Sequence, residues 1–414
     1  MFQDFTICIN TRFIFGRGAE EQVGREFAKL GVHKILIHHD DGSYLQTTGL
    51  LDAIRKSCDQ AGVKYVELGG VQPNPRLQKV REGIELARRE GVEGVLGIGG
   101  GSSIDSAKAI GLGLASDRDV WDYFTGIAEP QGTVPVGAVL TCPAAGSESS
   151  QVAVINNEDE HRKLLVSNPV VRPALAFMDP MLSESLPAFP TACGVVDMFS
   201  HICERYFTKD DTFGLIDRMS EGALRTLVAI GPKSVADGKN YEYRAQIMWA
   251  STIAQNNTLG VGREQDWSTH TIANELSALY DTPHGATLSI IMGSWMRYCI
   301  NKSPRRFARY AQEVFGLHDE TMDVTDLALR GVTATENFFT SMSMPISFAD
   351  YSIPEDGIEQ MLDNIDFYGP DQAIGSVVRL NRDDCRAIFQ MALGHGVAAD
   401  SSRSGGDATA SKAE

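Results

Sequence analysis

The stretch GVVDMFSHICERYF, residues 194–207, is mostly apolar and helical in pattern, yet it carries Asp197 and His201 four residues apart. Positions i and i+4 sit one above the other on a helix, so a carboxylate and an imidazole converge on one point. An isolated Asp-x-x-x-His is more often a local hydrogen-bonded pair, because a metal centre needs at least three protein ligands. The other donors must come from elsewhere in the chain. Of the nine histidines, His33, His38, His39, His161, His318 and His395 fall at strand ends, in charged loops or near the tail, and read as solvated or structural. His270 lies in the first turns of a helix in DWSTHTIANELSALYDTPHGATLSII, and His284 follows Thr282-Pro283, a good cap and first-turn pair for the next helix. Fourteen residues of one straight helix would hold these two imidazoles about 21 Å apart, so a shared ion requires the chain to bend at Asp281-Thr282-Pro283. Asp197, His201, His270 and His284 then form one carboxylate and three imidazoles, suited to Fe2+ or Zn2+ and poorly suited to Mg2+ or Ca2+.

A second chemical feature is GVLGIGGGSSIDSAKAIGLGLA, residues 94–115. It reads as a strand, then Gly99, Gly100 and Gly101, then Ser102 as the N-cap of a helix. Glycines admit a ligand close to the backbone, and the free N–H groups at a helix start favour an anion such as pyrophosphate. No Gly-Lys-Ser/Thr follows, so it is not a Walker loop, and a serine stands at the last glycine position of G-x-G-x-x-G. A tight strand–helix turn is the alternative. A dinucleotide also needs its ribose held, and Asp40 with Asp41 ends a strand in IHHDDGS, where a carboxylate can accept both hydroxyls. Two solvated acids on an exposed turn would look the same.

The elements that must position these residues follow from hydrophobic periodicity. Short apolar runs at 33–38, 64–68, 94–99, 134–140 and 174–179 alternate with amphipathic helical stretches at 20–30, 49–62 and 76–90. That alternation implies a mainly parallel sheet with helices on both faces. After about residue 186 the strand signals stop, and helical patterns run on to about 393, with breaks at 231–240, 281–283, 301–304 and 352–357. The expected organisation is a dinucleotide-binding α/β domain over 1–185, an all-helical metal-binding domain over 186–395 and a disordered Gly/Ser/Ala-rich tail over 396–414.

The 414-residue chain has a formal charge of −17, which would repel a phosphate backbone, and no basic cluster with interleaved aromatics offsets it. Nucleic acid is therefore not an expected partner. No run of eighteen apolar residues and no basic leader before an apolar stretch is present, so the expectation is a cytoplasmic protein that does not cross a membrane. The seven cysteines are odd in number, dispersed and without C-x-x-C, and are expected as reduced thiols.

Taken together, GVLGIGGGSSIDSAKAI, LTCPAAGSES (140–149), FMDPMLSESLP (177–187), GVVDMFSHICERY, QDWSTHTIANELSAL (265–279) and TPHGATLSII (282–291) make the chain similar to the iron-containing, or group III, alcohol dehydrogenases. The likeness runs over roughly residues 10 to 393 and is nearest to the butanol dehydrogenase and aldehyde reductase branch. It implies a dehydroquinate synthase-like fold, with NAD and one divalent metal in the cleft between an N-terminal Rossmann-like domain and a helical C-terminal domain. Carried over by position, it makes Asp197, His201, His270 and His284 metal ligands and Gly99 to Ser102 the pyrophosphate loop. Thr141 and Cys142 fall where the family usually has two threonines near the cofactor. Lys163 matches a lysine that reaches a cofactor ribose, and Asp40 falls at the strand-end position that often selects NAD over NADP.

The implied reaction is direct hydride transfer between the nicotinamide and a small alcohol or aldehyde, with the metal as Lewis acid and no covalent protein intermediate. A homodimer is the expected assembly. One position departs from the pattern: many members carry a histidine one turn after the third ligand, and here it is Asn274, which can orient a substrate but cannot exchange a proton near neutral pH. The rival within the wider superfamily is a dehydroquinate synthase-like lyase, which would need a Lys/Arg cluster around residues 250–290 that the sequence does not supply.

Overall fold

The computed structural model describes residues 2–160, 162–209 and 213–394. His161, His395 and the 396–414 tail lie outside them. Eight strands are present among the described residues: β1 (Arg12–Phe15), β2 (Lys34–Asp40), β3 (Lys64–Val71), β4 (Gly94–Gly99), β5 (Val136–Leu140), β6 (Val152–Asn157), β7 (Arg162–Ser167) and β8 (Leu175–Met178). Six form one parallel sheet in the order β1-β8-β5-β4-β2-β3. Every residue of β4 and β5 is buried, which is why both read as unbroken apolar runs: helices cover the two faces of the sheet. The helices Leu50–Ala61 and Leu77–Glu90 bury one stripe each and stop at Gly62 and Gly91 in the left-handed conformation.

The chain leaves β2 toward β3 on one side, then crosses back so that β4 and β5 lie on the other. A parallel sheet of this kind opens a crevice at the carboxyl ends of its strands where the order reverses. Asp40 closes β2 and Gly99 closes β4, which puts both candidate cofactor motifs at that crevice. The helix after β4 spans Gly101–Leu114 with Gly100 as N-cap, so Ser102 falls inside the first turn and is not the cap.

Two features of this half escape the periodicity. β1 is a four-residue edge strand, and β6 with β7 forms a separate antiparallel hairpin. The hairpin is fastened to the Gly101–Leu114 helix by half-buried polar contacts: Val154 N–H donates to Asp105 at 3.0 Å, and the buried Lys108 ammonium donates to the Val152 carbonyl at 2.8 Å.

The second half packs its helices around a single apolar core running from Ala192 to Ala392. The Leu215–Ala236 helix continues through Gly231 and Pro232, so the break expected at 231 begins only after residue 236. A Cβ on Gly231 would lie 2.8 Å from Val195, so the glycine is there for close helix packing and not for a turn. The expected bend at residues 281–283 is present. The Ser268–Tyr280 helix ends, Asp281 takes a left-handed φ of 48°, and the His284–Cys299 helix starts with Pro283, not Thr282, at its cap position. The expected helical domain is present, and its residues 365–381 are a largely irregular segment with two isolated β-bridges.

The loop after β5 joins the halves. A Cβ on Gly146 would meet the Ser251 carbonyl at 2.4 Å, and one on Gly194 would meet that of Pro143 at 2.5 Å. Thr252 donates to the buried Glu148 at 2.5 Å. The helix Ala188–Tyr206, which carries Asp197, is thereby held against the carboxyl end of the sheet.

Candidate metal centre and cofactor cleft

Three helices deliver the four candidate ligands. Asp197 and His201 face one way from the middle of Ala188–Tyr206, His270 is the third residue of Ser268–Tyr280, and His284 opens His284–Cys299. The bend at Asp281 replaces a straight-helix separation of about 21 Å with a His270–His284 ring distance of 5.4 Å. The rings of His201 and His270 are 4.4 Å apart. Asp197 Oδ1 is the hub: His201 Nδ1 lies 3.0 Å from it, His270 Nε2 3.8 Å and His284 Nε2 3.9 Å. Ligand atoms of Asp197, His201 and His270 all lie within 4.8 Å of one another.

These groups face one another without being satisfied by one another. His201 Nδ1 shares a hydrogen bond of 2.9 Å with the Asp197 carbonyl, while Asp197 Oδ1, His270 Nε2 and His284 Nδ1 are buried with no hydrogen-bond partner. A buried polar atom left unpaired costs about 1–3 kcal/mol, so clustering several of them suits a site built for a ligand. One carboxylate and three imidazoles are donors that fit Fe2+ or Zn2+.

The electrostatics agree. Burial alone would raise the Asp197 pKa, but the imidazoles of His201, His270 and His284 outweigh it and hold the carboxyl well below its usual range. Burial lowers His201 and takes His284 down to about 3. At His270 burial is overcome by the neighbouring carboxylates of Asp197 and Glu204, which carry its pKa up to about 9.

The cofactor candidates gather at the sheet's carboxyl edge. Gly99 has φ 144°, and a Cβ there would lie 2.5 Å from Ser103 Oγ and 3.5 Å from Asp40 Oδ2. A Cβ on Gly100 would lie 3.1 Å from that of Cys142. The bare backbone of this turn, with Gly101 opening the helix, is thus walled by Asp40 on one side and Cys142 on the other. Thr141 N–H donates to the Gly99 carbonyl at 3.0 Å. Asp40 accepts from Gly42 N–H at 2.8 Å and from the Tyr44 hydroxyl at 3.2 Å, and that hydroxyl also lies 3.3 Å from Thr141 Oγ1. Asp41 points elsewhere, toward Gly69 and Gly70 at the end of β3. Burial raises the Cys142 thiol to about 11, with the Asp197 charge adding to the shift, so it sits there neutral.

Lys163 rises from β7 and donates to Asn74 at 2.9 Å. Solvent reaches it, yet enough protein surrounds it that desolvation lowers its pKa, as on the wall of a cleft. Asn274 is exposed one turn after His270, and its side chain makes no hydrogen bond among the described residues. Glu275 beside it has a pKa raised to about 7, by burial first and then by Asp366.

Glu204, Asp266 and Tyr44 are further parts of the site that were not expected from the sequence. Glu204 is fully buried and accepts from His270 at both the backbone N–H (2.8 Å) and Nδ1 (3.0 Å). Asp266 accepts from the backbone N–H groups of Ser268, Ser376 and Val377 at 3.0, 2.7 and 2.7 Å, tying the start of the His270 helix to the irregular 365–381 segment. The available signal for Glu204 was spacing: it stands seven residues after Asp197 and three after His201, on the same helical face. Tyr44 lay four residues beyond Asp40 in DDGSY, close enough to bond back to it.

Comparison with known proteins covers both halves. The family described as iron-containing alcohol dehydrogenase matches residues 10–180, and the C-terminal region of the Fe-containing alcohol dehydrogenase family matches residues 191–393. The chain is 36% identical over 391 residues to a probable NADH-dependent butanol dehydrogenase 2 of Bacillus subtilis, covering 94% of this chain and 100% of the relative. It is 33% identical over 400 residues to the NADPH-dependent aldehyde reductase YqhD of Escherichia coli, covering 94% and 99%. A solved NADH-dependent butanol dehydrogenase A from Thermotoga maritima superposes with a TM-score of 0.89 at 36% identity, covering 95% of this chain and 99% of that one.

Proposed function

Because this chain belongs to the iron-containing alcohol dehydrogenase family and is a metal-containing, nicotinamide-dependent alcohol dehydrogenase/aldehyde reductase, we propose that its own residues run that reaction in the cleft between the parallel sheet and the Asp197 helix. The observation that carries the reading is the convergence of one carboxylate and three imidazoles: Asp197 Oδ1 and His270 Nε2 are buried and unpartnered, and His201 Nδ1 and His284 Nε2 lie 3.0 and 3.9 Å from that oxygen. Asp197, His201, His270 and His284 hold the divalent ion, Fe2+ or Zn2+, which when bound supplies Lewis acidity toward the substrate oxygen. Gly99, Gly100, Gly101 and Ser102 leave room and backbone N–H groups for the pyrophosphate. Asp40 accepts from the adenosine ribose and disfavours a 2′-phosphate, so NAD(H) is the preferred cofactor. Lys163 reaches a cofactor ribose from the opposite wall, and Thr141 with the neutral Cys142 borders the nicotinamide side.

Asn274 orients the substrate oxygen by hydrogen bonding, leaving proton transfer to water or a ribose hydroxyl. The substrate is a small alcohol or aldehyde. The lyase alternative is not favoured, since both halves match dehydrogenases.

Two further parts of the reading rest on the surface and the thiols. We read the assembly as a homodimer: β1 is an open sheet edge, and beside it Phe13, Phe15 and Trp249 line an apolar groove of about 590 Å3. All seven cysteines are unpaired, as in a reducing cytoplasm. No helix among the described residues is long and apolar enough to cross a membrane.

The test is a panel of short-chain alcohols and aldehydes assayed with NADH and NADPH on protein reconstituted separately with Fe2+ and Zn2+. Metal-dependent turnover with better kcat/KM for NADH is the expected result; turnover in fully metal-stripped protein would overturn the ligand assignment.

A further inference from the structure

Among the buried charges that the reaction does not use, Glu204 stands apart. It lies on the Asp197 helix outside the proposed ligand set, is 1% exposed, and through one oxygen, Oε1, engages both the backbone N–H and the Nδ1 of His270. Its other oxygen has no partner. His270 is the third residue of its helix, so its N–H belongs to the first turn, where no carbonyl of the same helix can accept it. The residue before that helix, Trp267, has a left-handed φ of 67° and offers no side-chain cap. Glu204 therefore caps the helix from another element and holds the side chain of the capped residue with the same atom.

The surrounding contacts fix that arrangement. The Glu204 carbonyl accepts from Asp266 N–H at 2.9 Å, and Asp266 in turn gathers the Ser268, Ser376 and Val377 N–H groups. The Arg205 guanidinium stacks over Trp267 at 4.5 Å and donates to the His201 carbonyl at 3.0 Å. With its Nδ1–H donated to a carboxylate, the imidazole presents Nε2 as the bare lone pair once a cation displaces the second proton. In His270 that nitrogen is buried, unpartnered and 3.8 Å from Asp197 Oδ1.

We propose that Glu204 is a positioning residue for the metal ion. It sets the tautomer and orientation in which His270 offers Nε2, and its charge, added to that of Asp197, matches the two positive charges of the ion. A carboxylate behind a ligating imidazole both orients it and raises its basicity. The proposal rests on His270 being a ligand, so the experiment carries that assignment as a separate arm.

Full-length protein is stripped of metal, and the Zn2+ dissociation constant is measured by competition with a chromogenic chelator for wild type, Glu204→Gln, Glu204→Ala and His270→Ala. Circular dichroism and thermal unfolding of the metal-free proteins confirm the fold. Glu204→Gln keeps an acceptor oxygen and loses the charge, and is expected to weaken binding ~10-fold; Glu204→Ala loses both and is expected to weaken it ~100-fold. The visible spectrum of the Co2+-substituted protein, which reports ligand geometry, should shift in Glu204→Ala. Wild-type affinity in Glu204→Ala, with binding lost in His270→Ala, overturns the proposal and leaves the ligand set standing. Wild-type affinity in His270→Ala overturns the ligand set. If Glu204→Ala does not fold, the near-isosteric Glu204→Gln decides: unchanged affinity there defeats the role given to its charge.

Discussion

His38, inside the parallel sheet, and His270, between the helices, are both buried imidazoles in the same molecule, and their nitrogens are treated in opposite ways. His38 lies on β2 with Nδ1 at 2.9 Å from the Leu68 carbonyl and Nε2 at 2.8 Å from Ser106 Oγ. Both nitrogens are used, and the ring ties β2 to β3 and to the Gly101–Leu114 helix. His270 has one nitrogen engaged by Glu204, while the other is buried and unpartnered beside an equally unpartnered Asp197 oxygen. Burial is common to the two, so burial does not distinguish structure from site. What distinguishes them is whether hydrogen-bonding capacity is spent inside the protein or held in register, at a cost, for something else.

The sharpest way to break this comparison is to remove a ligand that the fold does not need. His284 opens its helix with its side chain 32% exposed, so His284→Ala should leave the fold intact. It should lose stoichiometric metal and reduce kcat/KM by about three orders of magnitude, as expected if polarisation by the ion is worth several kcal/mol. Metal analysis of the purified variant, alongside steady-state kinetics and circular dichroism, checks this. Retained metal with retained rate would place His284 with His38 among the structural histidines.

The next prediction concerns the satisfied histidine. Burial lowers the His38 pKa to about 4, against about 6.5 for an unfolded chain. Between those values the unfolded state binds the proton and the folded state does not. The contribution of His38 to stability is therefore present above pH 6.5 and is lost as pH falls toward 4, by at most roughly 3 kcal/mol. Urea unfolding of metal-free protein at half-unit pH steps should show this slope, and His38→Gln should flatten it while lowering stability at pH 7. An identical slope in the variant would assign the effect to other histidines.

How much of this contrast is legible in the sequence depends on scale. The strand–helix alternation, the glycine turn and the four ligand candidates carry local signals: β4 is expected and found over residues 94–99, and Asp281-Thr282-Pro283 marks the bend. β1 is only four residues long, and β7 has a single fully buried position, so neither produces the apolar run or clean alternation that marks a strand. The hairpin is held by Asp105 and Lys108, whose partners lie more than 40 residues away. Glu204 is the clearest case. In a linear reading its spacing puts it on the helical face of Asp197 and His201, but nothing local tells which side chain it meets. Only the return of the chain, 66 residues later, buries it against His270.

Asp40 stands between the two extremes, with one oxygen bonded to a backbone N–H and the other to Tyr44, at the lip of the cleft. Asp40→Ser should shift the ratio of kcat/KM for NADPH over NADH upward by about tenfold, since it removes one charge near the expected 2′-phosphate at partly solvated distance. Asp41→Ser, altering the acid that points toward Gly69 and Gly70, should leave the ratio unchanged. Equal responses from the two variants would mean that general surface charge, and not the position of Asp40, sets the preference.

The smallest effect is expected at Asn274, whose amide faces solvent with no protein partner one turn beyond His270. A buried amide serving helix packing would show a hydrogen bond to a neighbouring helix, and Asn274 shows none among the described residues, which leaves its donor and acceptor free for a substrate oxygen. An amide does not titrate, so the wild-type profile of turnover against pH should carry no imidazole step from this position. It does have a neighbour that titrates in the working range: Glu275, raised to about 7. The comparison must therefore be made between variants and not read from one curve. Asn274→His should change the rate at its optimum only a few-fold while adding a titration step near the unperturbed histidine value of about 6.5, moved downward by the adjacent cation. Glu275→Gln in both backgrounds removes the shared carboxylate step, so the histidine step should survive that second substitution. If metal-loaded Asn274→His gives the wild-type profile with Glu275 intact and with it removed, position 274 lies outside the path of the proton and plays no part in presenting the substrate.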